Sequence, residues 1–181
     1  MLISLDVKIS FRDTDKMDKV DTIIAQWLSI KPSLDVSGME VVGRFSRLAD
    51  HHRLAMEETF KKHGLNGPSF DVLATLRRSN DANALTPGDL MASMMITSGT
   101  TTNRIDRLVA QGLVERKADE QDARKTWVCL TAAGRSKVDA AVLDHVETQK
   151  GLLAGLSNTE AVQLNNLLRK MMVAKSSAGV G

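Results

Sequence analysis

Between Thr97 and Thr131 the chain concentrates side chains able to read or neutralise a charged polymer: Asn103, Arg107, Arg124 and Lys125, preceded by a Ser-Gly-Thr-Thr-Thr cluster. At about 100° per residue on a helix, Ser98, Ile105 and Leu108 share one side, and Gly99, Thr100, Asn103, Asp106, Arg107 and Ala110 lie opposite. The first set suits a core. In the second, Asn103 can donate to and accept from an adenine edge, and Arg107 can reach a guanine or a phosphate. Gly99 and Thr100 let a helix N-terminus approach a phosphate closely. Thr101 and Thr102 suit a phosphate or a thymine methyl, although Thr101 stands on the core-side edge. Arg124 and Lys125 end a turn-like segment, Ala118 to Lys125, from which an arginine can enter a minor groove. Asp119, Glu120 and Asp122 nearly cancel that positive charge, so a solvated loop held by an Asp122–Arg124 contact is the competing reading. The residues expected at DNA are Ser98, Thr100, Thr101, Thr102, Asn103, Arg107, Asp122, Arg124 and Lys125. Arg104 falls on the flank of the wheel and should point to a neighbouring element.

Other chemistries find little support. His51, His52, His63 and His145 lack carboxylate or cysteine partners at ligand spacing, so no metal site is expected. Cys129 should pack inward, and a redox role would require an exposed thiol of low pKa. With no Gly-rich phosphate loop and no nucleophile–base pattern, neither an enzyme nor a cofactor is expected. Aromatic residues make up 3% and tyrosine is absent, which disfavours the stacking platforms used on single strands and leaves a duplex as the better partner. A net charge of +2 decides little, because backbone binding depends on local clusters of Lys and Arg. One cysteine excludes an internal disulfide, and no apolar run is long enough to span a membrane, so a cytoplasmic protein is expected.

These residues must be held by the rest of the chain. Its 181 residues, 43% hydrophobic, can bury one core, or one core plus an extended dimer surface. Residues 1–17 alternate Ile3, Leu5, Val7, Ile9 and Phe11 with polar neighbours and read as a tail or a docked strand. Residues 18–36 hold a short amphipathic helix with Trp27, ending at Lys31-Pro32. Residues 37–66 form a long scaffold helix opened by a Ser37–Glu40 capping box. Within 67–131, Ser69 caps one helix, Asn80 to Leu85 is loop, Thr86-Pro87 opens a second helix, and the helix ending at Gly112 precedes two short strands, Leu113 to Lys117 and Thr126 to Leu130. Residues 132–174 form two further helices, capped by Thr131 and by a Ser157–Glu160 box, and 175–181 read as a disordered tail. Met91, Met94, Met95, Met171 and Met172 read as core filler. The fold class is mainly α with a small β wing: a winged helix-turn-helix between N- and C-terminal helical dimerisation regions. Surplus apolar faces on those flanking helices would be covered in a twofold dimer, which matches a palindromic site.

The stretch LTPGDLMASMMITSGTTTNRIDRLVAQGLVERKADEQDARKTWVCLTAAG resembles the helix-turn-helix and wing of MarR-type transcription regulators, with its D-x-R step at Asp122–Arg124 and its L-T-x-x-G exit at Leu130–Gly134. The N-terminal helix with Trp27 and the FDVLATLRR run from Phe70 extend the resemblance, from about Asp18 to Met172, to the urate-responsive PecS-like subgroup. The resemblance implies a homodimer, a repressor, that binds a palindromic promoter and loosens when a small ligand such as urate enters each subunit. It also implies that Arg124 enters the groove with Asp122 as its orienting partner. Trp27, Asp71, Arg104 and Arg116 match positions implicated in ligand sensing. An aromatic wall, guanidinium forks and a carboxylate suit a flat oxopurine anion, and Asp71 would bridge Arg104 before the ligand arrives. On their own these residues read equally as a core tryptophan and a structural ion pair. Two alternatives remain at this stage: a regulator of the same fold answering phenolic compounds or oxidants, and a helical interaction protein without DNA contact.

Overall fold

The chain's alternation of amphipathic helical runs with two short β-branched segments produces seven helices and three strands among the described residues. The structure, a computed structural model, describes residues 17–79, 82–94, 98–122 and 124–177, and within them not the side chains of 98–100 and 175–177. The alternating segment Ile3 to Phe11 lies outside these residues, as do the last four residues of the expected tail. Residues 175–177 continue the final helix rather than joining that tail. Contacts divide the chain into two units, Met1–His51 and His52–Gly181.

In the first unit, α1 (Lys19–Ile30) begins at an Asp18–Asp21 capping box, in which each carboxylate accepts the other residue's backbone N–H. Arg44, on α2 (Ser37–Lys62), pairs with both carboxylates. Val20 and Ile24 are buried, and Val20 rests against Gly43, where an added Cβ would stand 3.3 Å from a Val20 methyl. The Ser37–Glu40 box expected at the start of α2 is not formed. The Ser37 hydroxyl and N–H both donate to Asp35, whose carboxyl they hold below the usual carboxylate range, and the Val36 carbonyl accepts the Glu40 N–H.

The second unit is built on α3 (Gly67–Ser79), whose Val72, Leu73 and Leu76 are wholly buried. Around it pack α4 (Pro87–Met94), α5 (Ser98–Ala110) and α6 (Ala132–Leu152), contributing Leu90, Ile105, Leu108 and Val138 to one core. A three-stranded antiparallel sheet in the order β1-β3-β2 closes it, with β2 (Val114–Ala118) and β3 (Thr126–Leu130) in register from Val114↔Leu130 to Ala118↔Thr126. The segment expected as loop supplies β1 (Ala84–Leu85), opposite Cys129 and Val128. Two residues are too few to show a period, and the pairing exists because β3 offers an edge. Buried Asn83, at φ 52°, turns the chain into it, and its carbonyl accepts the Leu130 N–H.

Gly64 and Gly112 end α2 and α5 in the left-handed region, each followed by an N–H that reaches back to the last turn, from Leu65 to Phe60 and from Leu113 to Leu108. Thr86 caps α4, its hydroxyl accepting the Asp89 N–H and donating to the Asp89 carboxylate, Thr131 accepts from Gly134 at the start of α6, and Ser157 with Glu160 boxes α7 (Asn158–Ser177). For α3 the cap is Asn66 rather than Ser69: the Asn66 amide oxygen accepts the Ser69 N–H at 2.8 Å and its carbonyl accepts from Phe70. The helix thus starts three residues earlier than expected, with Pro68 in a first turn that needs no N–H from it. Asn66→Ala should therefore cost about 1 kcal/mol, whereas Ser69→Ala should stay within about 0.5 kcal/mol. Urea melts of the two variants check this, and equal losses would contradict the assignment.

Candidate nucleic-acid interface and ligand cavity

The apolar face of α5 is spent on the core, with Ile105 and Leu108 at 1% and 0% exposure, so its opposite face is left to solvent. Thr102, Asn103, Asp106 and Arg107 are exposed there. Thr101 is 2% exposed: its place on the core-side edge of the wheel puts it inside, and it is removed from the residues able to touch DNA. The side chains of Ser98 and Thr100 lie outside the described residues. Asp106 accepts from Arg116 of β2 at 2.7 Å, tying the exposed face of α5 to the wing strand. Arg107 has no ion-pair or hydrogen-bond partner among the described residues.

At the wing the carboxylates build the turn as well as offset the cations. Asp119 accepts the N–H groups of Gln121 and Asp122 and, at 2.7 Å, the Trp127 indole. These donors, the indole foremost, hold its carboxyl below the usual range. Asp122 does orient Arg124, through the backbone: its carboxylate accepts the Arg124 N–H at 3.0 Å and its carbonyl accepts from Lys125. The guanidinium of Arg124 and the ammonium of Lys125 are exposed, and the Lys125 charge acts on Asp119 at a distance without a direct ion pair. The roles of Asp119 and Trp127 were hidden in the sequence, where Asp119 counted only as a negative charge.

Within the second unit lies an open cavity of about 730 Å³. One face of α2 enters it with His52, Arg53, Met56, Glu57 and Phe60, and one face of α3 with Phe70, Asp71, Ala74 and Arg78. Residues 71, 74 and 78 recur at helical spacing, which puts the exposed Arg78 on the cavity side and leaves Arg77 to pair with Asp139 elsewhere. Arg104 comes from α5 and His145 from α6. Phe60, Phe70 and His145 form an aromatic wall, with the two phenyl rings stacked 4.3 Å apart and His145 tilted against Phe70 at 5.0 Å. Burial, and then His52, lower the His145 pKa, which favours the neutral ring. Arg53 is bound to Glu57 at 3.0 Å. Arg78 and Arg104 have no ion-pair or hydrogen-bond partner among the described residues.

Of the four residues expected at a ligand, Asp71 and Arg104 share this cavity. The bridge expected between them is not formed among the described residues. Arg116 is engaged with Asp106 instead. Trp27 belongs to the first unit, where it is 41% exposed. The aromatic wall and Arg78 were not foreseen; for Arg78 the seven-residue step from Asp71 was the available signal. Cys129 is partly exposed, and burial pushes its thiol pKa up, the opposite of what a redox sensor needs. Met94 is buried as core filler, but Met171 and Met172 of α7 are exposed.

A helix-turn-helix core, an exposed polar helix face and a wing with exposed cations together define a winged-helix DNA-binding protein. Residues 63–125 match the MarR family profile. The chain is 35% identical to the HTH-type transcriptional regulator PecS of Dickeya dadantii over 84% of its own length and 92% of that protein's. It therefore belongs to the MarR family, whose members are DNA-binding transcription regulators. Among solved structures it resembles BpsR of Bordetella bronchiseptica, described with regulation of its DNA binding by 6-hydroxynicotinic acid. That match is 30% identical with a TM-score of 0.63, covering 73% of this chain and 92% of that one. It also resembles a mutant MarR from Escherichia coli complexed with operator DNA, at 25% identity and a TM-score of 0.64, covering 80% and 96%. No helix among the described residues is long and apolar enough to cross a membrane.

Proposed function

We propose that two copies of the chain hold a palindromic promoter duplex in the cytoplasm as a repressor, and release it when urate or a related planar purine anion occupies the cavity. The observation that carries this reading is the position of Arg104. It lines the cavity beside Asp71, and in sequence it stands between Asn103 and Arg107 on α5. A ligand that draws on Arg104 therefore pulls on the helix that faces DNA, and differential affinity for two positions of α5 becomes a change in DNA affinity.

On DNA, Asn103 and Arg107 read base edges, Thr102, with Ser98 and Thr100 at the helix start, contacts backbone, and Arg124 and Lys125 enter a neighbouring groove on the turn that Asp122 shapes. Pairing of two copies is supported by apolar surface left uncovered: Val41, Phe45 and Leu48 in the first unit, Val146, Leu153, Val162 and Leu167 in the second. In the cavity the aromatic wall receives a flat ring. Once Arg53 and Glu57 cancel, Arg78 and Arg104 against Asp71 leave one positive charge for a monoanion. Trp27 and Arg116 join the ligand-sensing set by family resemblance, Arg116 acting through its tie to Asp106. A second reading, a phenolic or other small aromatic acid as effector, takes its support from the resemblance to BpsR.

Calorimetry tests the effector. Urate should release heat with the intact protein, and Arg104→Ala should weaken binding by about 1.5 to 3 kcal/mol, the worth of a charge-assisted hydrogen bond. Binding of 6-hydroxynicotinic acid or salicylate but not urate would favour the second reading. A gel shift on the protein's own promoter region should show a salt-sensitive complex that urate dissolves, and its absence would remove the repressor reading.

A further inference from the structure

The cavity contains more cationic capacity than one ligand edge uses. Arg104 reaches it from α5 and Arg78 from α3, one turn beyond Ala74 and two beyond Asp71. Arg53 is already committed to Glu57. Arg78 is exposed and Arg104 half-buried, and neither has a protein partner among the described residues. The ring cluster of Phe60, Phe70 and His145 supplies an apolar side to the cavity that both arginines line. Two guanidinium forks carried on different helices, with a carboxylate on one of those helices, offer donors at two places and one acceptor.

We propose that Arg78 is the second anion-binding side chain of this cavity, and that the effector is a planar ring bearing oxygen acceptors on two edges and an N–H for Asp71. Urate has that pattern, with oxygens on both of its fused rings, whereas a ring whose only oxygens are those of one carboxylate satisfies a single fork. The inference rests on the cavity reading given above and narrows it. It also accounts for the lack of a bridge between Asp71 and Arg104: both remain available to a ligand that meets each of them.

The test is titration calorimetry of the full-length protein with urate and, separately, with benzoate, using the intact protein, Arg78→Gln, Arg78→Lys and Arg104→Gln. Circular dichroism melts and DNA affinity without effector serve as controls for folding. Urate affinity should fall about 10- to 100-fold in Arg78→Gln. Arg78→Lys, which keeps the charge but loses the fork, should recover only part of that loss. Benzoate should bind far more weakly than urate and be insensitive to Arg78→Gln, and DNA affinity without effector should not change. If Arg78→Gln binds urate as the intact protein does while Arg104→Gln does not, the role of Arg78 is overturned and the cavity reading stands. If both variants bind urate unchanged, both are overturned. Benzoate binding as tightly as urate overturns the two-edged class.

Discussion

Arg107→Ala is expected to weaken operator binding at least about 30-fold. One arginine fork to a guanine is worth roughly 1 to 3 kcal/mol, and a twofold dimer loses two of them. The size of the effect follows from Arg107 having no protein partner to release: the guanidinium is exposed on the face of α5 opposite Ile105 and Leu108. Removing it costs the DNA complex and leaves the free protein nearly untouched. Salt titration separates its two possible contacts. If Arg107 sits on phosphate, the slope of log affinity against log salt falls by about one per site while all sequences weaken alike; if it sits on a base, the slope holds and discrimination at one base pair in each half-site relaxes. Unchanged affinity and unchanged slope would show that this face of α5 does not meet DNA.

Gly134→Ala should destabilise the fold by about 3 kcal/mol, near the upper end of overpacking. A Cβ on Gly134 would stand 1.9 Å from the carbonyl oxygen of Leu113 and 2.9 Å from its carbonyl carbon. Those are backbone atoms at the root of β2, where Thr131 also donates its hydroxyl to the Gly112 carbonyl and its N–H to Leu113. No rotamer relieves the clash, so the first turn of α6 must lift from the sheet and take Val138 with it. The melting temperature should drop by roughly 6 to 12 °C for a chain of this size. A variant that melts with the native protein would mean that α6 and β2 do not approach this closely.

The local parts of this architecture were legible in the sequence because they depend on short periods. Ile105 and Leu108 go inside and Asn103 and Arg107 outside by the 3.6-residue turn alone, and Gly64 and Gly112 announce helix ends because few other residues accept their dihedrals. What failed depended on competition or on distance along the chain. Asn66 and Ser69 are both good caps, and a single residue type cannot say which wins. Ser37 was drawn to Asp35 instead of Glu40. The strand at Ala84–Leu85 is defined by a partner more than forty residues away, and the carbonyl that makes Gly134 obligatory belongs to Leu113, on another element, although the motif containing Gly134 was plain. Arg78 was within reach: the helical phase of Asp71 selects it over Arg77. The pairing of Arg116 with Asp106 depends on how β2 leaves the turn at Gly112, and no spacing rule supplies that angle.

In the proposed mechanism Arg104 links the cavity to DNA, and thermodynamic reciprocity offers the direct test. Fluorescence anisotropy gives the operator Kd with and without saturating urate, and calorimetry gives the urate Kd of the free and the operator-bound protein. Both should shift by the same factor, about 5- to 150-fold for ordinary coupling, and in Arg104→Ala urate should no longer change the operator Kd. An operator Kd that ignores saturating urate in the intact protein, or a shift that persists undiminished in Arg104→Ala, would contradict it.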